Sequence, residues 1–270
     1  MIDGALCATP RAVIASARGS VRLAQLGSAT LGWVAIASVH QRLVPPAARG
    51  LVFQRYMRRW ASSLVHAMGG ELTLAPGAVV PPHGKARLVV ANHRSPFDIG
   101  ILLSLFGGHA LSRADLADWP VLGLAARRAG TIFVDRGSGA SGASALRTIR
   151  RRLREGASIL VFPEGGTFEG DEVRAFKPGA LAALRGLDVE IVPVGLAYDP
   201  GAEFVEESFV QHVMRVAGRP HTRCVVNIGP ARPAEGSAQQ LAESLRAEVQ
   251  DLVTSARTHW RARYGGEPTP

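Results

Sequence analysis

Residues 87–98, Arg87-Leu88-Val89-Val90-Ala91-Asn92-His93-Arg94-Ser95-Pro96-Phe97-Asp98, join an unbroken apolar run to a polar turn and then to the start of a helical pattern. An apolar run without alternation is what a strand buried on both faces requires. Pro96 suits the opening of a helix, where its fixed φ and missing N–H cost nothing. The same unit recurs along the chain. β-rich runs at 87–91, 131–134, 158–162, 190–197 and 223–228 alternate with helical patterns at 97–106, 120–128, 141–155, 178–187 and 238–264. Such alternation predicts an α/β fold with a mostly parallel or mixed sheet covered by helices. Pro76, Pro81 and Pro82 with Gly77 and Gly84 predict a turn-rich junction ahead of this sheet, and residues 265–270 read as a frayed tail.

Upstream the character changes. The run 23–39 carries no charge and is flanked by Arg18 and Arg22 on one side and Arg42 and Arg49 on the other. It falls at the low edge of the roughly 20 apolar residues that cross a bilayer, so shallow insertion into one leaflet is expected rather than a span. A long charged lead and the lack of a small-residue cleavage pattern disfavour a signal peptide. Leu51, Phe53, Tyr56, Trp60, Leu64 and Met68 then follow at helical spacing among Arg55, Arg58 and Arg59. A basic amphipathic helix of this kind rests in a headgroup layer; two ordinary helices packed on a core are the competing account. The expected organisation is a two-helix membrane-associating segment over 1–70 and an α/β domain over 71–270.

The formal charge of +9 is carried almost wholly by arginine, since Lys85 and Lys177 are the lysines of the 270 residues. That balance suits nucleic acid, an anionic membrane or phosphorylated small molecules. Nucleic acid is disfavoured because no docking motif and no aromatics interleaved with a basic patch are present. Cys7 and Cys224 lie far apart and form neither a disulfide framework nor a zinc pair.

The turn after the first core strand holds the strongest chemical signal. A strand that ends in a polar turn presents its side chains at the carboxyl edge of the sheet, where α/β proteins keep their sites. If the turn folds back, Asp98 accepts a hydrogen bond from one nitrogen of His93 and leaves the other free as a base. No Gly-x-Ser-x-Gly elbow is present, which disfavours an acyl-enzyme route.

The His-x4-Asp element resembles the first motif of the PlsC-like glycerol-phosphate and lysophosphatidate acyltransferases. Three further blocks match in order: Gly130-Thr131-Ile132-Phe133-Val134-Asp135-Arg136, Val161-Phe162-Pro163-Glu164-Gly165 and Ile191-Val192-Pro193-Val194-Gly195. The resemblance covers roughly 88–228. It implies that Arg136 binds the acceptor phosphate, with Arg113 in support where the family often carries lysine. It also implies that Glu164 and Gly165 belong to the acceptor site, and that Pro193 shapes the acyl pocket. A structural role remains the competing account for Arg136 at a strand end, for Glu164 in a turn and for Pro193 as an edge or bulge residue. Lys177 resembles part of a Phe-Lys-x-Gly stretch and either approaches phosphate or is solvated. One departure stands out: Gly166, Thr167 and Phe168, then Glu169, Asp171 and Glu172, occupy a loop where the family places an arginine. An acceptor with a cationic or zwitterionic head is compatible with that loop.

The implied activity is O-acyl transfer from acyl-CoA or acyl carrier protein to a lysophospholipid hydroxyl, most of all 1-acyl-glycerol-3-phosphate, with His93 as general base. It requires no metal and no cofactor beyond the donor. The expected partners are membrane lipids and the donor, at the cytoplasmic face of the cell membrane. Alternatives are an acceptor of the lyso-ornithine type, or a thioesterase in which the His93–Asp98 pair activates water. Backbone amides near residues 94–97 are candidate oxyanion donors.

Overall fold

The computed structural model of the chain describes residues 9–82, 85–118, 122–135 and 137–265. Arg136, Cys7, Trp119-Pro120 and residues 266–270 of the expected tail lie outside the described residues.

The chain opens with a helical pair. α1 (Pro10–Leu43) starts on Thr9, whose hydroxyl accepts from the Ala12 amide, with Pro10 in the first turn. The apolar run 23–39 is the middle of this longer helix. α2 (Arg49–Ala67) follows after a short 3₁₀ turn. Polar bonds cross-link the two: Trp33 Nε1 donates to Ser63 Oγ at 3.0 Å, Trp60 Nε1 donates to Thr30 Oγ1 at 3.2 Å, and His40 Nδ1 meets Tyr56 Oη at 2.9 Å. Met57, Ala61 and Val65 of α2 are buried against the sheet side, whereas Arg55 and Arg59 face out. α2 thus buries a neighbouring face in the core, and Phe53 and Trp60 of the expected stripe pack against that core half-buried. Among the described residues of the pair, the exposed large apolar side chains are on α1, where Val13, Ile14, Val21, Leu31, Ile36, Val39 and Leu43 are 54–78% exposed.

The sheet strands are β1 (Gly70–Leu74), β2 (Arg87–Ala91), β3 (His109–Arg113), β4 (Ile132–Val134), β5 (Ser158–Val161), β6 (Glu190–Tyr198), β7 (Thr222–Ile228) and the short β8 (Arg232–Pro233). Their order is β1-β7-β6-β2-β5-β3-β4, with β8 paired to β6. The pairs β2–β5, β2–β6, β3–β4 and β3–β5 are parallel, and β6–β7 is antiparallel. The sheet is thus mixed. The proline-rich junction does not precede the sheet as expected: it follows β1, so the sheet begins at Gly70.

β2 sits between β5 and β6, and all five of its residues are buried. Leu88 and Val90 pack on one face with Ile149 and Leu153 of α5 (Gly139–Arg154) and Leu245 and Val249 of α7 (Ala238–Tyr264). Val89 and Ala91 pack on the other with α2 and with Ile101 and Leu102 of α3 (Phe97–Phe106). This two-sided burial is why the run shows no alternation. α7 crosses β6 so closely that a Cβ on Gly195 would lie 2.4 Å from the Val253 amide nitrogen. α4 (Leu122–Arg128) and α6 (Phe209–Gly218) complete the helices. Residues 178–187 are not the expected helix but a 3₁₀ turn, Ala180–Leu184. Side chains three apart eclipse in that geometry, which sends both Leu181 and Leu184 into the core.

Pro193 lies within β6 opposite Val90 of β2. Its carbonyl accepts from the Gly229 amide on the other side, in the gap between the β8 pairing at 190–191 and the β7 pairing at 194–198. The missing N–H thus faces the one stretch of β6 where the ladder changes partner. A proline is tolerated inside a strand at such a gap.

Candidate active site

Residues 92–98 form a compact loop whose polar groups are satisfied from three directions. Asn92 is anchored to β6, donating to the Leu196 carbonyl at 3.0 Å and accepting from the Leu196 amide at 2.8 Å. Asp98, on the first turn of α3, is fully buried and turns back into the loop. Its Oδ2 receives His93 Nδ1 at 2.7 Å, the Arg94 amide at 2.6 Å and the Ser95 amide at 2.9 Å. Its Oδ1 receives the Tyr198 hydroxyl at 2.6 Å. Burial, with the Asp98 charge beside it, pushes the Tyr198 phenol well above its ordinary pKa and keeps it a donor. A carboxylate so surrounded selects the His93 tautomer with the proton on Nδ1. Nε2 is then the basic nitrogen, and among the described residues it has no hydrogen-bond partner. The ring stacks on Phe162 at 4.1 Å between centroids and remains 16% exposed.

The amides expected to serve an oxyanion are turned elsewhere. The Arg94 and Ser95 amides go to Asp98, the Phe97 amide goes to Ser95 Oγ at 3.3 Å, and Pro96 has none. The loop uses these donors to hold its own shape, which corrects that expectation.

Glu164 supports the loop from below. Its Oε1 accepts from the His93 amide at 2.6 Å and from Arg94 at 3.0 Å, and its Oε2 accepts from the Arg174 amide at 2.9 Å. Both charged side chains are almost completely buried, Glu164 at 0% and Arg94 at 3%. Arg94 also donates to the carbonyls of Gly170, His93 and Glu172. Gly165 has φ 77°, and a Cβ there would lie 2.8 Å from Lys177 Nζ. Glycine thus gives the turn its left-handed backbone and makes room for the lysine.

Arg113 ends β3 on the surface, 67% exposed, and grips Asp115 through two bonds of 3.1 and 2.8 Å. It is apart from the His93 network. Cys224 is buried, which raises its thiol pKa well above the ordinary value.

Two acidic loops flank the turn. Residues 166–174 are tied to it through the Phe168 amide, which donates to the His93 carbonyl at 3.2 Å. The loop after β6 is tied through the Phe204 amide, which donates to the Arg94 carbonyl at 2.8 Å. Thr167 Oγ1 joins the two loops by donating to the Phe204 carbonyl at 2.7 Å. Asp171 is held by Arg257 at 2.7 and 2.9 Å and Glu172 by Arg174 at 3.0 Å, while Glu169 and Glu206 are exposed.

Beside Pro96 and Phe97 lies a cavity of about 180 Å³. Its wall is almost wholly apolar: Trp60 and Leu64 from α2 and Met68 just after it, Ile99 and Leu103 from α3, and Phe209, Val213 and Val216 from α6, with His212 among them.

Tyr198, Arg94, Ser95 and His212 are participants that sequence reading missed. For His212 a signal existed. Ser208 and Gln211 form a capping box at the start of α6, so Ser-x-x-Gln marks a helix bearing His212 in its first turns.

A family model described as Acyltransferase matches residues 77–197. The chain is 35% identical over 208 residues to a lyso-ornithine lipid O-acyltransferase of Pseudomonas aeruginosa, covering 73% of this chain and 77% of that protein. It is 26% identical over 222 residues to a probable 1-acyl-sn-glycerol-3-phosphate acyltransferase of Mycoplasma genitalium, covering 79% and 80%. Its fold matches the crystal structure of the 1-acyl-sn-glycerophosphate acyltransferase PlsC from Thermotoga maritima with a TM-score of 0.67, at 18% identity, over 90% of this chain and 99% of that one.

Proposed function

Because the chain belongs to the PlsC-type acyltransferase family, we propose that it moves a fatty acyl group from a thioester, acyl-CoA or acyl carrier protein, to the hydroxyl of a lyso-lipid. The observation that carries this reading is the His93–Asp98 pair, with Nε2 of His93 unpartnered among the described residues and the apolar cavity on the same loop. His93 removes the hydroxyl proton as the acceptor oxygen attacks the thioester carbonyl. The tetrahedral intermediate then collapses, the C–S bond breaks, and the departing thiolate takes the proton from the imidazolium. Asp98 stabilises that cation while it exists. Glu164 serves through Arg94 and the His93 main chain, and the cavity takes the acyl chain.

The acceptor reading favoured is a lyso-lipid with an ornithine-type head. Exposed Glu169 and Glu206, on the loops tied to the His93 turn, support it, since a carboxylate near the turn attracts an ammonium and repels a phosphate. The 35% identity to a lyso-ornithine lipid O-acyltransferase supports it too. Arg136, which the family resemblance assigns to an acceptor phosphate, supports the other reading, lysophosphatidate. A panel of both acceptors against both thioester types separates them. The expected result is a kcat/KM at least about tenfold higher for the lyso-ornithine lipid, an energetic gap on the order of one charge contact. A preference for lysophosphatidate would return the acceptor to the phosphate class.

The place of action is a membrane surface, at the cytoplasmic face of the cell membrane. No described helix is long and apolar enough to cross a bilayer. The exposed apolar residues of α1 fall on one side of the helix at its 3.6-residue period, which supports lying in one leaflet. Replacing Leu31, Ile36, Val39 and Leu43 by serine is expected to release the protein from anionic vesicles in a flotation assay. Unchanged flotation would move the contact elsewhere.

A further inference from the structure

A second histidine–carboxylate pair lies beside the first. His212, on α6, is 1% exposed, and its Nδ1 is 2.8 Å from Glu207 Oε1. Its Nε2 is 3.0 Å from Ser95 Oγ. Ser95 is itself 1% exposed, and its amide is one of the donors that clamp Asp98. Glu207 also accepts from Arg215, which donates to the Gly201 and Glu203 carbonyls and whose terminal nitrogen lies 3.2 Å from His212 Nδ1.

The proton assignment follows from the shorter of the two contacts at His212 Nδ1, Glu207 at 2.8 Å against Arg215 at 3.2 Å. Glu207 carries the charge, because the Arg215 bond holds its carboxyl below the ordinary range. A carboxylate can only accept, so His212 places its proton on Nδ1. Nε2 then accepts, and the Ser95 hydroxyl must donate to it. The Ser95 oxygen is left to accept from the Phe97 amide at 3.3 Å, the bond that starts α3. Burial lowers the His212 pKa, which agrees with a neutral ring. The groups facing His212 are Glu207 and Arg215 near its own helix, Ser95 and Asp98 from the catalytic loop, and the Phe204 ring at 4.9 Å.

Ser95, His212 and Glu207 have the connectivity of a nucleophilic triad, but the hydroxyl is closed off and already engaged on both sides. Its neighbours Pro96 and Phe97 line the cavity, as does His212, whereas Ser95 does not. We infer that His212 is a positioning residue for the acyl transfer: it holds the Ser95 hydroxyl and through it the loop that presents Asp98 to His93, tying that loop to the α6 wall of the acyl cavity. This rests on the reading of His93 as general base and of the cavity as the acyl site.

Asparagine and glutamine divide the two ends of the imidazole. His212→Asn can reach Glu207 from the Nδ1 position but not Ser95. His212→Gln can reach Ser95 from the Nε2 position but not Glu207. The expected result is that His212→Asn and Ser95→Ala each lower kcat about tenfold, the worth of one well-placed hydrogen bond, with donor KM unchanged. His212→Gln is expected to stay near wild type, and the Asn/Ala double variant to be no slower than either single one. Thermal midpoints are measured alongside. His212→Asn as active as His212→Gln, or additive losses in the double variant, would overturn the inference. So would an acyl adduct on Ser95 by mass spectrometry, which would make it a nucleophile. Should His212→Asn not fold, Ser95→Ala against His212→Gln decides. If His93→Ala retains activity, the general-base reading fails, and that failure is distinguishable from loss of the Asn/Gln contrast.

Discussion

His93→Ala is expected to lower kcat by about 10²–10⁴-fold, the range for loss of a general base, while the thermal midpoint stays near wild type. The two halves of this expectation have separate origins. Asp98 loses one donor but keeps the Arg94 and Ser95 amides and the Tyr198 hydroxyl. The buried carboxylate is therefore not orphaned, and the large penalty for an unsatisfied charge is avoided. What disappears is the one unpartnered basic nitrogen of the loop. Steady-state transfer of a labelled acyl group, with differential scanning fluorimetry on the same preparation, checks both halves. Activity within a few fold of wild type would remove His93 from the chemistry.

Glu164→Ala is expected to behave in the opposite way, destabilising the protein by about 3–5 kcal/mol, because a buried cation is left without its counter-ion. At about 2–4 °C per kcal/mol for a chain of this size class, the midpoint falls by roughly 6–20 °C. Arg94 would keep its three carbonyl contacts, but the His93 and Arg174 amides would each lose their acceptor. Glu164→Gln preserves shape and one acceptor oxygen and is expected to lose less. The measurement also separates two accounts of the residue. A ligand for the acceptor predicts a raised acceptor KM at unchanged stability, whereas a support for the loop predicts a lowered midpoint with activity falling alongside it.

The fold was legible in proportion to how strongly each segment stated its burial. The run ending in Asn92-His93 is apolar on both faces, and it is the central strand. α3 and α7 begin and end where the pattern puts them, at Phe97–Phe106 and Ala238–Tyr264. β3 escaped notice because His109-Ala110-Leu111-Ser112-Arg113 is mixed in polarity and short. It is a strand because backbone ladders from β4 and β5 hold it on both sides, and residue type does not report that. The site divides similarly. His93 and Asp98 are five apart and could be paired from spacing. Glu164 and Tyr198 reach the same loop from about 70 and 100 residues away, and that convergence exists only once β2, β5 and β6 are neighbours.

The clasp between α1 and the end of α6 bears on how the protein is made. Arg18 donates to the Gly218 carbonyl, and Arg22 donates to the carbonyls of Ala217, Arg219 and Pro220, capping the open end of that helix across a separation of 195–200 residues. Synthesis proceeds at about 5–20 residues per second, so α1 leaves the ribosome on the order of 10–40 s before its clasp partner exists. For that interval the helix has α2 beside it but not α6, and its exposed apolar residues are as open as in the finished fold. On the membrane-surface reading proposed above, birth order lets the chain settle on lipid first and close its catalytic domain onto an already seated helix pair.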